Sequence, residues 1–245
     1  MAEQRGGKMS DLNEMQERGI AVVKIGSSTL DDPEGMAFFM TTVWGIARRF
    51  GHMIVVVGGG KLSRERNRYL HLWDRDVAEE KRDLVGILAT RYHAECINVA
   101  LGIRGSVWTE EPTIQRIKDF LDCRHQRIQI VSGWYSGTSS DGPAVMLADK
   151  CGVPLIKIGT PVKKIPRRVE ITPDVVKNAE TIHAMNWREY SIQFPCHREP
   201  SGHAPIDEES ASLAERYGLT VAIGDWRDLY KSLDRFMENG TVIAP

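Results

Sequence analysis

A chain of 245 residues can bury a sizeable core as one compact unit, and its 32 basic against 33 acidic residues, a formal net charge of -1, exert no global pull on nucleic acid or on a membrane surface. Any anion it binds must be held locally, by a few placed groups. The polar start MAEQRGGKMSDLNEMQERG lacks the apolar stretch of a secretory signal, and no apolar run approaches membrane-spanning length. The expectation is a cytoplasmic protein with a flexible segment at residues 1–18 and a single domain over 19–245.

In chain order, IAVVKI at residues 20–25 reads as a buried strand that ends in the turn Gly26-Ser27-Ser28. Apolar side chains at helical spacing follow over residues 35–50, closed by Gly51. MIVVV at 53–57 is again strand-like and stops at Gly58, Gly59 and Gly60, after which a basic helix begins near Lys61. A long helical region spans about 77–101. Further strand candidates are 106–108, 127–131, 154–158, 219–223 and 241–244, with helices between several of them. Short strands alternating with helices predict a three-layer αβα sandwich around a mainly parallel sheet. Residues 159–203 break the rhythm with Pro161, Pro166, Pro173, Pro195 and Pro200, and read as a divergent insert or flap.

Cys96, Cys123, Cys151 and Cys196 are scattered without a CxxC pair and read as reduced, buried thiols. His183, Cys196, His197 and His203 lack the spacing of a tetrahedral zinc site, so no metal site is expected there. Trp134, Trp187 and Trp226 could stack on a base but read first as core or interface anchors, Trp134 with Tyr135 being the exception because they lie beside a glycine-rich loop.

That loop, GTSSDGPAVMLAD at 137–149, opens a helix: Ser140 or Asp141 suits the N-cap and Pro143 the first turn. It is the third turn of its kind, after Gly26-Ser27-Ser28 and Gly58-Gly59-Gly60. Turns at the carboxyl ends of parallel strands converge in doubly wound sheets. Glycines admit a phosphate to the backbone, amides at helix starts point at it, and Lys24 and Arg64 add fixed positive charge. Several such cradles together suit transfer of a phosphoryl group between two phosphorylated molecules.

These residues resemble the amino acid kinase family, and most closely its archaeal-type UMP kinases. VVKIGSSTL is similar to the family's first strand and turn, with Ser27 where a glycine is commoner; IVVVGGGKLSR is similar to its second turn and GTSSD to its GxTTD-type loop. RDLVGILATR at 82–91 resembles the segment whose aspartate holds a nucleotide ribose, and APIDEESASLAERYGLTVAI with NGTVIAP resembles the family's closing elements. The resemblance implies ATP and magnesium (Mg2+) as cofactors and UMP, converted to UDP, as acceptor. It places Lys24 at the transferring group, with Gly26, Ser27 and Ser28 as phosphate contacts. Gly58, Gly59, Gly60 and Arg64 would bind the acceptor phosphate, and Asp83 its ribose. Thr138, Ser139 and Ser140 would contact phosphate, while Asp141 orients the catalytic lysines.

Where the family continues with an asparagine, aspartate, glycine and tyrosine motif shaping the ATP pocket, this chain reads GTPVKKI at 159–165. Lys163 or Lys164 is a candidate second phosphate-binding lysine at the donor site, or surface charge. The altered motif also leaves open a non-catalytic relative, such as an oxyanion-binding protein like the molybdenum storage proteins or a partner subunit. Isopentenyl-phosphate-type kinases carry a histidine after the glycine triplet, where this chain has Lys61, Leu62, Ser63 and Arg64. The partners implied are a small nucleotide or another phosphate or oxyanion ligand, no nucleic acid and no membrane, and further copies of the chain in a homo-oligomer, a dimer or hexamer.

Overall fold

The computed structural model describes residues 18–135, 139–164, 179–194 and 204–245, so the segment expected to be flexible lies outside them apart from Arg18. Among the described residues seven strands form one sheet: β1 (Ile20–Ile25), β2 (His52–Val57), β3 (Ile128–Val131), β4 (Leu155–Ile158), β5 (Ala184–Asn186), β6 (Val221–Gly224) and β7 (Thr241–Ala244). Their spatial order is β3-β2-β1-β4-β6-β7-β5. The first five of these run parallel, β7 is antiparallel to β6, and β5 is parallel to β7. Every residue of β1, β3, β4, β6 and β7 is buried, as β-branched runs covered by helices on both faces should be.

The register decides where a site can form. Ile25 pairs with Val57 on one side and Ile158 on the other, Val56 pairs with Val131, and Ile158 pairs with Gly224. The carboxyl ends of five parallel strands are therefore level. From β1 the chain steps outward to β2 and β3, then returns to β1's other side as β4, which opens a crevice at the β1/β4 boundary.

The layers around the sheet are α1 (Ser27–Leu30), α2 (Pro33–Phe50), α3 (Gly60–Trp73), α4 (Glu79–Ala100), α5 (Ile114–Asp122), α6 (Asp141–Cys151), α7 (Trp187–Gln193), α8 (Glu208–Arg216), α9 (Trp226–Lys231) and α10 (Leu233–Asn239). In α2, Asp32 accepts from Glu34 N at 3.1 Å and Gly35 N at 3.0 Å, Pro33 supplies the first residue, and Phe39, Val43, Ile46, Ala47 and Phe50 form one buried stripe. Of the buried tryptophans, Trp187 and Trp226 are core anchors with satisfied indoles. Trp187 donates to Leu219 O at 2.9 Å, and Trp226 donates to Thr42 Oγ1 at 2.7 Å.

Two expectations change, for the strand at 106–108 and the burial of the cysteines, and the insert at 159–203 is described only in part. The strand foreseen at 106–108 is a single bridge between Trp108 and Val131. The region 159–203 joins the body of the fold through β5, which pairs with β7, and α7; residues 165–178 and 195–203 lie outside the described residues. Cys96, Cys123 and Cys151 are free but not fully buried: Cys96 is exposed on the outer face of α4, and Cys123 and Cys151 are partly buried. Burial pushes the Cys151 thiol up to about 12. Cys196, His197 and His203 fall outside the described residues. No helix among the described residues is long and apolar enough to cross a membrane.

Candidate functional site

The neighbouring strands β1 and β4 both end in Lys-Ile followed by glycine, at Lys24-Ile25-Gly26 and Lys157-Ile158-Gly159. Lys24 and Lys157 are register partners, so the alternation of a pleated strand sends both side chains to the same face. Both are buried, at 4% and 8% exposure. Two ammonium groups so placed repel, and the carboxylate of Asp141 lies between them. Asp141 Oδ1 stands 3.3 Å from Lys24 Nζ, and Asp141 Oδ2 accepts a hydrogen bond from Lys157 Nζ. Lys24 Nζ also donates to Ile25 O at 3.0 Å.

Burial alone would raise the pKa of Asp141. The charges of Lys157 and Lys24, with their hydrogen bonds, outweigh it and hold the carboxyl down at about 2. The pKa of Lys24 is lowered, chiefly by burial, with the charge of Lys157 acting in the same direction and that of Asp141 opposing. Asp141 Oδ1 is buried without a hydrogen-bond donor of its own, although an ammonium faces it. Two ammonium groups against one carboxylate leave an excess of positive charge. The arrangement suits an incoming anion.

Asp141 opens α6, yet neither residue expected to cap that helix does so. Ser140 occupies the N-cap position without a side-chain bond, and Asp141 turns inward because two buried ammonium groups hold it more strongly than free amides. Ser139 takes the local role: its Oγ accepts from Asp141 N at 3.0 Å and donates to Asp207 Oδ2 at 2.5 Å. Asp207 caps α8, accepting from Ser210 N at 3.0 Å and Ser210 Oγ at 2.6 Å. Just before it, the buried Tyr190 hydroxyl donates to Ile206 O and accepts from Ile206 N, each at 2.7 Å. Burial raises the pKa of Tyr190 and keeps it neutral.

The second glycine turn reaches the same spot. A Cβ on Gly58 would lie 3.2 Å from Lys24 Nζ, 3.3 Å from Ile25 O and 3.4 Å from Ser140 Oγ. Hydrogen alone at this position lets the three turns meet. Gly60 has φ 55°, in the left-handed region that favours glycine, and starts α3. His93 Nδ1 donates to Gly58 O at 3.2 Å from the α4 side.

The remaining candidates are placed as follows. Gly26 N donates to Ile158 O at 3.0 Å, tying the first turn to β4, while Ser27 and Ser28 begin α1. Arg64 pairs with Asp31 at 2.6 Å. Asp83 lies on α4 one turn before Gly86, whose Cβ position is 3.4 Å from Ser63 Oγ on α3, so it flanks the second turn. Lys163 Nζ donates to Thr181 Oγ1 at 2.9 Å, and Lys164 makes an exposed ion pair with Glu180 at 3.9 Å. The lysine beside Asp141 is thus Lys157, from within the strand, rather than Lys163 or Lys164. Thr138 lies outside the described residues. Trp134 packs partly buried on the core; next to it Gly133 N donates to Thr90 Oγ1 at 2.9 Å, and the Tyr135 hydroxyl donates to Glu111.

Fold and site together define a mainly parallel α/β sheet with a buried Lys–Asp–Lys cluster at its carboxyl edge. Residues 19–225 match the amino acid kinase family, and the chain belongs to that family. It is similar to the uridylate kinase of Methanothrix thermoacetophila, 27% identical over 215 residues, covering 86% of this chain and 92% of that one. In three dimensions it is similar to the uridylate kinase of Archaeoglobus fulgidus, with a TM-score of 0.67, 22% identity and coverage of 91% and 100%. The UMP kinase of Bacillus anthracis is similar as well, with a TM-score of 0.68, 17% identity and coverage of 92% and 96%. The family and the relatives' names support phosphoryl transfer as the class of chemistry.

Proposed function

We propose that this protein is an ATP-dependent phosphotransferase that phosphorylates a small phosphate monoester, with UMP, converted to UDP, as the leading acceptor. The observation that carries the reading is the pair Lys24 and Lys157, in register on adjacent strands and bridged by Asp141. An oxygen of the acceptor phosphate attacks the γ-phosphorus of ATP, the bond from that phosphorus to the β–γ bridging oxygen breaks, and ADP departs. The two ammonium groups lie where negative charge spreads over the transferring group and the leaving oxygen. Asp141 holds them at a fixed separation, so little reorganisation is needed when that charge develops. The glycine turns after β1 and β2 would supply backbone amides, and the lack of a side chain at Gly58 leaves room beside Lys24 Nζ.

The residues present fit triphosphate oxygens. They fit a protein-held cation less well: Asp141 is shared between two lysines, Asp207 is engaged by Ser139 and Ser210, and Asp31 by Lys61 N and Arg64. Magnesium would accordingly be held mainly by the triphosphate, neutralising part of its charge. Asp83 would contact the acceptor's sugar from the flank of the second turn.

A second reading, an anion-binding relative without transfer activity, is favoured by the sequence GTPVKKI in place of the family's donor motif. Calorimetric titration separates the two. Phosphotransfer requires binding of both a magnesium–ATP analogue and UMP; binding of UMP or another oxyanion with no triphosphate binding supports the second reading.

The chain further carries an apolar face that a second copy would cover. Leu84, Leu88, Tyr92, Cys96 and Val99 form an exposed stripe along α4, beside exposed Tyr69, Leu72 and Trp73 of α3, the last 83% exposed. Between Leu84 and Ala100 the only Asp, Glu, Lys or Arg residues are Arg91 and Glu95. A ridge at four-residue spacing packs against its own copy about a twofold axis, so we assign this face to a homodimer.

A further inference from the structure

The second glycine turn already holds an anion, and it belongs to the chain. Asp31 follows α1 directly. Its Oδ1 accepts from Lys61 N at 2.6 Å and its Oδ2 from Arg64 Nη2 at 2.6 Å. The approach is close enough that a Cβ on Gly60 would lie 2.6 Å from Asp31 Oδ1, and the same Cβ would stand 3.3 Å from the ring edge of His93. α3 has no cap of its own, because Gly59 sits at the N-cap. Asp31 thus supplies from a distance both the missing cap and the counter-charge to Arg64. It occupies two donors that an acceptor phosphate would otherwise use, in a turn whose first glycine is so close to Lys24 that an added Cβ would lie 3.2 Å from its Nζ.

We propose that Asp31 is a specificity-determining residue: an internal carboxylate that fills the acceptor cradle, yields to the phosphate of a phosphate monoester, and excludes acceptors that offer only a carboxylate. The proposal deepens the reading of a phosphate-bearing acceptor and rests on it. A carboxylate ligand would exchange one carboxylate for another, gaining no charge and no new donor while losing an attached group at high local concentration. A phosphate monoester brings about -1.5 to -2 charge and three acceptor oxygens, enough to engage Arg64, the α3 amides and Lys24's neighbourhood together. The side chain is 23% exposed, so it can leave to solvent without disrupting the core.

The test is a titration of isotope-labelled protein, wild type and Asp31→Asn, with inorganic phosphate, acetate and UMP in turn, following the amide signals of Gly60 and Lys61. In the wild type, phosphate shifts these signals at high concentration and acetate leaves them unmoved. In Asp31→Asn, phosphate binds at least about tenfold more tightly and acetate becomes a ligand. Equal or weaker phosphate binding in the variant overturns the proposal, because Asp31 is then only a helix cap. A crystal structure of the wild type with phosphate keeps the question decidable should the variant unfold: Asp31 still on Lys61 N and Arg64 with phosphate bound elsewhere overturns it, and phosphate in its place supports it. Should phosphate behave as described while UMP binds neither protein, the exchange at Asp31 stands and UMP falls as the acceptor.

Discussion

Lys24 and Lys157 stand side by side on adjacent parallel strands, each one residue from its strand's end, and share a single carboxylate. The pair is costly to bury and has no packing role that a leucine would not fill better. Its position where the glycine and hydroxyl turns meet is the ground on which we propose a chemical one.

Replacing Lys157 with Met is expected to lower kcat for phosphoryl transfer by about 10²- to 10³-fold, as removal of one fixed charge from a transition-state cradle does. Lys24→Met is expected to do the same, and the double variant little more, since both act on one group. Steady-state kinetics with circular dichroism checks each; a Lys157→Met enzyme with unchanged kcat would remove that lysine from the site.

Asp141→Asn leaves two buried ammonium groups facing each other without their counter-ion. A destabilisation of about 3–5 kcal/mol is expected in denaturant titration. The acid limb has a defined sign. The folded pKa of about 2 lies below the 3.8 of the free carboxyl, so this stabilisation is fully present above 3.8 and is lost as the pH falls through about 2. The wild type should therefore resist acid further than Asp141→Asn, and coincident acid transitions would contradict the assignment.

On the alkaline side, Lys24 gives up its proton below the ordinary 10.5, principally because it is buried. The rate of transfer should fall on a basic limb centred below that value. Lys24→Arg, which keeps its charge at all accessible pH, should lose that limb even if its rate is low.

Asp207→Asn is expected to loosen Ser139 and, through it, the start of α6, and to remove a negative charge that helps keep Lys24 protonated. A loss of about tenfold in kcat with a smaller change in KM for UMP is anticipated, since one hydrogen bond to a charged group is worth about 1.5–3 kcal/mol. Ser139→Ala should produce a similar loss, and the two should not add.

Leu88→Glu places a charge in the middle of the exposed α4 stripe. The wild type should run as a dimer or larger on size-exclusion chromatography with light scattering and the variant as a monomer. A monomeric wild type would contradict the assignment of that face.

Much of the fold was legible because central parallel strands are runs of β-branched residues closed by glycine, as in IAVVKIG and MIVVVGGG. β5 was not, since three residues at the sheet's edge in a proline-rich region carry no periodic signal. Lys24 and Asp141 could be read from their turns. Lys157 was missed because a lysine inside LIKI looks like an ordinary strand residue, and its value comes from a register partner 133 positions away in sequence, set by strand order. The repeated ending Lys-Ile-Gly of β1 and β4 was the available clue. Asp207 was hidden for a similar reason: a helix-opening aspartate reads as a cap, and its bond to Ser139 spans 68 residues. Asp31 reads as half of an Asp-Asp pair before a helix, yet only Asp32 caps α2, while Asp31 turns to α3.

The central claim is most directly tested by incubating the purified protein with magnesium and ATP labelled in the γ-phosphate, together with UMP, and following the label. The account predicts label in UDP with wild-type protein and its near-absence with folded Lys24→Met and Lys157→Met. Binding of UMP or another oxyanion, with no ATP binding and no label transferred to any phosphate monoester offered, would contradict it and leave a protein that holds anions in a kinase fold.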